Sequence, residues 1–296
     1  MDEKDKAIVR LRGPLADALI RLDTDRYKPY VTMDKKGQTV LYVQIKNALY
    51  GIMREALLYY QRFVGDIQSI GFEINPYNPC VANCSVHGKM LTIVWHVDDV
   101  KASHMEPKVL DHFVKWVAKT YDEVNVSASG GGKMKVSRGH KNSYLGMDLD
   151  FGKPGSVVIG MVPYVKEIVE QFAEHDNSTK PTSTALTPAA DHLFKVDESA
   201  KPLPPDGIAV FHNFVAKCLY LTKRARPDIA TAVAFLTTRV KSPDIDDWKK
   251  LVRLVRYLRG TVDLVLTLCA DKKIVNKWWV DGSFAVHPNM RGHSGG

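Results

Sequence analysis

The chain has 296 residues, of which 45% are apolar, enough for one large domain or two ordinary ones with real cores and too apolar for disorder. No run of 18 apolar residues exists, so no membrane span is expected, and the start "MDEKDKAIVRLRG" lacks the apolar stretch of a secretory signal. The formal charge is +8, and residues 217–261 carry eleven Lys or Arg against four Asp, a local excess of +7 that suits either a polyanion partner or a solvated helix face.

Residues 40–45, "VLYVQI", read as a strand. From Asn47 the apolar positions Leu49, Ile52, Met53, Ala56, Leu57, Tyr60, Val64 and Ile67 step by three and four, which predicts a long amphipathic helix closed by Gly71. Asn75-Pro76 and Asn78-Pro79 mark a turn. Strands follow at 80–86 and 90–97, joined at His87-Gly88-Lys89 in a hairpin pattern. Cys80, Cys84 and His87 give a thin zinc pattern with no evident fourth ligand; the alternative is that the cysteines pack within the strand. Only four cysteines occur, scattered along the chain, which suits a reducing compartment and an intracellular location.

The segment 91–103, "LTIVWHVDDVKAS", is apolar and β-branched, yet Asp98 and Asp99 interrupt it. Burying two unpaired carboxylates in a sheet is prohibitive, so they belong at a hairpin tip facing solvent or a cation. Turns favour Asp for backbone reasons alone. Two adjacent acids also repel, and a divalent cation such as Mg²⁺ or Mn²⁺, sharing its coordination with substrate phosphates, relieves the repulsion. Both readings are open at this point.

A helix follows with Val109, Leu110, Phe113, Val114 and Val117 on one face. The loop "SASGGGKMKVSRG" fails as a phosphate-binding loop, because Ser127 and Met134 stand where Gly and Ser or Thr are required. Strands are expected over Tyr144–Phe151 and 156–162, then a helix from Pro163 with Val165, Ile168, Val169 and Phe172 inward. Residues 176–208, rich in Ser, Thr, Pro and Asp, read as a linker. Helices are predicted near 209–225, 228–240 and 246–259, and strands near 264–269 and 274–281. On the last helix Lys249, Arg253, Arg256 and Arg259 recur every three or four residues as a basic stripe, opposite Leu251, Val252, Leu254, Val255 and Leu258. Such a stripe suits nucleic-acid phosphates.

Several ordered segments carry a resemblance. His96-Val97-Asp98-Asp99 resembles the Tyr-Val-Asp-Asp box of reverse transcriptases, and "KNALYGIMREALLYY" (46–60) resembles the "KALYGLKQAPRAWY" box of copia-type retrotransposon polyproteins. "GFEINPYNPCV", "YLGMDLD", "RARPDIATAVAFLTTRV", "LVRYLRGT" and "WWVDGSFAVHPNMRGHSGG" resemble further boxes of that family in the same order, the last being similar to the opening of its ribonuclease H domain.

The resemblance implies an α+β architecture. A reverse-transcriptase palm and thumb would occupy 1–175, a linker 176–208, a helical connection 209–262, and truncated ribonuclease H-like strands 263–296. It implies RNA-directed DNA polymerisation with Mg²⁺ or Mn²⁺ held by Asp98 and Asp99, contacts to the deoxynucleotide from Lys46, Tyr50 and Gly51, and Asp281 as the first ribonuclease H carboxylate. The partners implied are an RNA or DNA template–primer, deoxynucleotides and other parts of the polyprotein. Two departures stand out: His96 replaces the tyrosine of the box, and Ile52-Met53-Arg54-Glu55-Ala56-Leu57 replaces "LKQAPR". The family's third palm aspartate has no counterpart in "MDEKDKAIVRLRG", so the expectation is a chain of little or no polymerase activity. The alternative is a non-enzymatic nucleic-acid-binding remnant that uses only the basic region.

Overall fold

A computed structural model describes residues 7–45, 53–122, 134–176, 183–270, 279–287, 290–292 and 294–295. The chain divides into two compact units, Met1–Gly132 and Lys133–Gly296. Both mix helix and sheet, consistent with the α+β class that the resemblance implies.

The first unit opens with elements that hydrophobic periodicity did not single out. Strand β1 (Ala7–Arg12) runs into helix α1 (Pro14–Leu22) at Gly13, whose φ of 50° turns the chain, and Pro14 starts the helix where a missing N–H costs nothing. A short helix α2 (Thr24–Tyr27) is capped by Asp23, which accepts from the Arg26 backbone N–H. Strand β2 (Val31–Met33) and strand β3 (Thr39–Ile45) complete an antiparallel three-stranded sheet with β3 in the centre. β3 is the strand expected over 40–45.

Helix α3 (Met53–Ser69) ends as the sequence predicts. Gly71 adopts φ 94°, its N–H bonds the Gln68 carbonyl, and the N–H of Phe72 bonds that of Ile67, a Schellman closure. The buried face differs from the predicted one. Phe63 and Ile67 are buried with Tyr59, Tyr60 and Val64 alongside, whereas Ala56 and Leu57 are exposed. Three aromatic rings outbid a stripe of smaller residues, because they remove more apolar surface from water.

That face packs on a second antiparallel sheet built from β4 (Glu73–Ile74), β5 (Val81–Val86), β6 (Lys89–His96) and β7 (Asp99–Ser103), in that order. Ala82, Leu91, Ile93 and Trp95 point inward, and helix α4 (Pro107–Val117) adds Val109 and Phe113 to the same core. Phe63 meets Trp95 edge-on at 5.2 Å between centroids. Cys80 and Cys84 pack against this core and are unbonded to each other, as the packing alternative for them requires.

In the second unit the expected single strand over Tyr144–Phe151 is a hairpin. β8 (Lys141–Tyr144) and β9 (Met147–Asp150) are joined through Leu145 and Gly146, both with positive φ. The Leu-Gly pair supplied the turn, and Gly146 is the residue that tolerates it without strain. β10 (Ser156–Gly160) follows, then helix α5 (Val162–Ala173), which buries Val165, Ile168 and Phe172.

Helices α6 (Pro205–Thr222), α7 (Ala230–Arg239) and α8 (Ile245–Gly260) supply most of the remaining core. Asp244 and Asp247 form a reciprocal capping box at the start of α8, and Arg239 pairs with both. Strand β11 (Leu266–Cys269), expected to open a separate domain, instead extends the β8–β10 sheet by pairing with β10. Its partner strands supplied an open antiparallel edge, which decides where a short strand goes. β12 (Asp281–Gly282) pairs with β13 (Ser294–Gly295).

The described part of the expected linker is a strap bound to α8. Ala185 N–H bonds the Arg256 carbonyl, Lys250 donates to the Lys195 carbonyl, Leu203 N–H bonds the Pro243 carbonyl, and Leu193 is buried. Its Ser, Thr and Pro content reflects irregular backbone held by side chains, which composition cannot distinguish from a free tether.

Arg226 is 1% exposed. It donates to both oxygens of Asp228, and to the carbonyl and hydroxyl oxygens of Thr261 at 2.9 and 2.7 Å. Burial pushes the Asp228 carboxyl up, but hydrogen bonds from Arg226 and Tyr257 outweigh it and leave the carboxyl below its ordinary value. Arg226→Ala removes the guanidinium from Asp228, which keeps its bond from Tyr257, and from the Thr261 carbonyl, and should destabilise the second unit by about 1–3 kcal/mol. A lowered denaturant midpoint reads this directly, and an unchanged midpoint would show that the guanidinium is not buried.

Candidate functional site

The hairpin β6–β7 positions the acidic pair. His96 and Asp99 are opposed across the ladder, so Val97 and Asp98 form a two-residue turn. Asp98 is therefore in the turn, and Asp99 is the first residue of the return strand. Both carboxylates are exposed, as are His96 and Val97. The charge stays in water while Trp95, one residue earlier, is buried.

Val97 has φ 53°. A β-branched side chain in that region is strained, and such strain persists only where the surrounding ladder imposes it. The turn holds two acids side by side on a stiff β-ribbon rather than on a loose loop.

Two groups around the tip were not evident from the sequence. Burial raises the Tyr59 hydroxyl pKa and the charge of Asp98 adds to it, so the Tyr59 hydroxyl on α3 lies within electrostatic reach of the acidic turn. The ring of Tyr59 stacks on Phe63 at 6.1 Å. The adjacent aromatics Tyr59-Tyr60 were the available signal, but the helix phase assigned inward facing to Tyr60 alone. Lys101 lies on β7 two residues beyond Asp99, hence on the same face of the strand, and burial lowers its pKa. A lone cation in an apolar strand beside two acids was the signal for it.

Lys46, Tyr50 and Gly51 lie outside the described residues. Asp281 is exposed on β12 in the second unit, and its carboxylate accepts from the Gly282 N–H at 2.8 Å. Among the described residues no group of three His, Cys, Asp or Glu is placed to hold a metal ion. Nor is any described helix long and apolar enough to cross a membrane.

The basic residues of α8 lie in the second unit, and the stripe does not stand free. Arg259 Nη1 donates to the Ser183 carbonyl at 3.0 Å, Arg253 Nη2 donates to Thr187 Oγ1 at 2.8 Å, and Arg256 Nη2 lies 3.8 Å from Asp176 Oδ2. Lys249 is exposed. The strap and helix together leave an open groove of about 310 Å³ lined by Thr184, Ala185, Leu186, Lys249, Arg253 and Arg256. Helical spacing located the cations. The strap residues that orient them, Ser183 and Thr187, were hidden in a stretch read as a linker.

Comparison with known proteins gives relatives at low identity. The chain is 19% identical over 253 residues to a transposon Ty5-1 protein of Saccharomyces cerevisiae, covering 86% of this chain and 76% of the yeast protein. It is 21% identical over 267 residues to a retrovirus-related Pol polyprotein from transposon TNT 1-94 of Nicotiana tabacum, covering 88% of this chain but only 19% of the polyprotein. An uncharacterized mitochondrial protein of Arabidopsis thaliana is 23% identical over 193 residues, covering 65% of this chain and 71% of that protein. No family model matches, and no solved structure matches. The first two of these are transposon proteins, and at this low identity the chain is similar to copia-type retrotransposon polyproteins.

The strain at Val97 is open to measurement. Val97→Gly should stabilise the first unit by about 1 kcal/mol, since relief of left-handed strain exceeds the entropy a glycine adds. A denaturant midpoint that falls instead would show that the turn is not left-handed at this residue.

Proposed function

We propose that the chain is the reverse-transcriptase region of a copia-type element and that Asp98 and Asp99 are carboxylate ligands for Mg²⁺ or Mn²⁺ in nucleotidyl transfer to a primer. We further propose that the chain by itself turns over little. The observation that carries the reading is the exposed carboxylate pair at the tip of a hairpin with a strained two-residue turn, in a chain whose relatives include transposon proteins. Adjacent exposed carboxylates fit a hard cation that completes its shell with water and substrate phosphates. Such a cation, when bound, lowers the pKa of the primer hydroxyl and neutralises charge on the leaving pyrophosphate.

In this reading Asp98 and Asp99 orient the ligand set from a rigid ribbon, and the exposed tip leaves room for template–primer and deoxynucleotide. Tyr59, held neutral by burial and by Asp98, offers a phenol proton within electrostatic reach of the carboxylates without adding charge. Low turnover follows from the donor set: among the described residues two carboxylates stand where two metal ions require more.

Primer extension by the purified chain with Mg²⁺ or Mn²⁺ should give at most trace product. Mn²⁺ should still broaden the amide signals of residues 96–99, and Asp98→Asn should remove that broadening. Robust extension abolished by Asp98→Asn would overturn the low-turnover proposal, and absence of broadening in the parent chain would remove the cation reading.

The basic groove of α8 supports a second reading, a nucleic-acid-binding remnant without polymerase activity. It predicts duplex binding that weakens as salt rises, because each phosphate the groove neutralises releases condensed counterions. Binding indifferent to salt would sink it, as would binding that Asp98→Asn abolishes.

A further inference from the structure

We propose that the groove between the strap and α8 is a pocket for one phosphate group, rather than a stretch of a continuous basic track. The inference deepens the nucleic-acid reading of α8 and rests on it for the source of the phosphate alone. A row of cations along a helix, each equally free, would follow a polyanion without marking any position on it. The side chains here are not equally free. Arg259 is spent on the Ser183 carbonyl, so the row ends before the last turn of the helix. The remaining three, Lys249, Arg253 and Arg256, line one cavity whose opposite wall is Thr184, Ala185 and Leu186. Its volume of about 310 Å³ is at the small end of ligand pockets.

The charge inside is fitted to a small anion. Asp176 faces Arg256 at 3.8 Å and offsets it in part. Asp197 lies close enough to Lys249 that the lysine helps lower its carboxyl, though its hydrogen bonds from Ser199 do more. Three cations set against Asp176 and Asp197 leave a surplus of about one positive charge, closer to the single charge of a phosphate diester than to the −1.5 to −2 of a monoester.

Arg253 is pre-positioned by Thr187, and among the described residues its buried Nε has no hydrogen-bond partner, so an anion held by the guanidinium would be attracted to an incompletely satisfied cation. The strap reaches this position because Gly260 ends α8: a Cβ there would meet Thr184 Cβ at 3.2 Å. The wall of the pocket thus depends on a missing methyl group one turn beyond the cations.

The phosphate can come from an internal diester or from the 5′ end of a strand, and the two separate by experiment. Inorganic phosphate should stabilise the full chain against heat more than chloride does at matched ionic strength. Lys249→Gln, an exposed change that leaves the fold alone, should weaken phosphate binding roughly fivefold, the loss of one charge-assisted contact. Lys241→Gln, an exposed lysine outside the groove, should leave it unchanged. In duplex binding, preference for a 5′-phosphorylated end identifies the terminal source, and indifference to it identifies the internal diester.

Phosphate acting no better than chloride would overturn the proposal even if duplex still binds, and the nucleic-acid reading would survive. So would equal weakening by Lys249→Gln and Lys241→Gln. Phosphate binding with no duplex binding would do the reverse, keeping the pocket and removing the nucleic-acid reading.

Discussion

The guanidinium of Arg226, sealed among apolar helices and matched by Asp228 and Thr261, shows the constraint that arranges the rest of the protein. A charge removed from water needs a partner of fixed geometry, because leaving it alone costs several kcal/mol. This chain meets that requirement in two ways. Arg226, Asp247 and Lys250 stay inside and are paired, with Asp228, Arg239 and Asp246 respectively. Asp98 and Asp99 are instead exposed at the tip of a hairpin, where water solvates the charge. The same rule that keeps Arg226 inside with its partners puts the acidic tip in water.

Helix α8 shows how one element serves both ends. Its capping box fixes where it starts, and Leu251, Leu254, Val255 and Leu258 fix which side faces the core. Lys249, Arg253, Arg256 and Arg259 then fall off that side, where the strap meets the three arginines, while Lys250 is buried and paired with Asp246. Binding the strap consumes part of their hydrogen-bonding capacity and immobilises what is left. A groove with held arginines loses less entropy on meeting an anion than a row of free side chains does.

Much of this was legible beforehand. The hairpin at 91–103, the glycine closure of α3, the three helices after residue 204 and the phase of α8 all follow from local rules: alternation, turn chemistry and helical period. The misreadings share a cause. Tyr144–Phe151 looked like one strand because its apolar residues outweighed a Leu-Gly turn that only cross-strand pairing makes visible. The inward face of α3 was assigned by periodicity, yet Phe63 decides it through contact with Trp95, thirty-two residues away. The strap was taken for a tether because composition reports polarity and says nothing about what the backbone is bonded to.

The sequence by itself determined where charge and turns must fall. Two acids inside a β-branched run require a hairpin tip, and cations every three or four residues require one face of a helix, because both are consequences of dihedral geometry and of the cost of burying charge. Only the tertiary structure decided what those groups meet. It set Tyr59 within electrostatic reach of Asp98, gave Arg259 to the Ser183 carbonyl, and closed a strap over Lys249, Arg253 and Arg256. Such meetings depend on the packing of elements far apart in the chain, and no local rule of spacing encodes them.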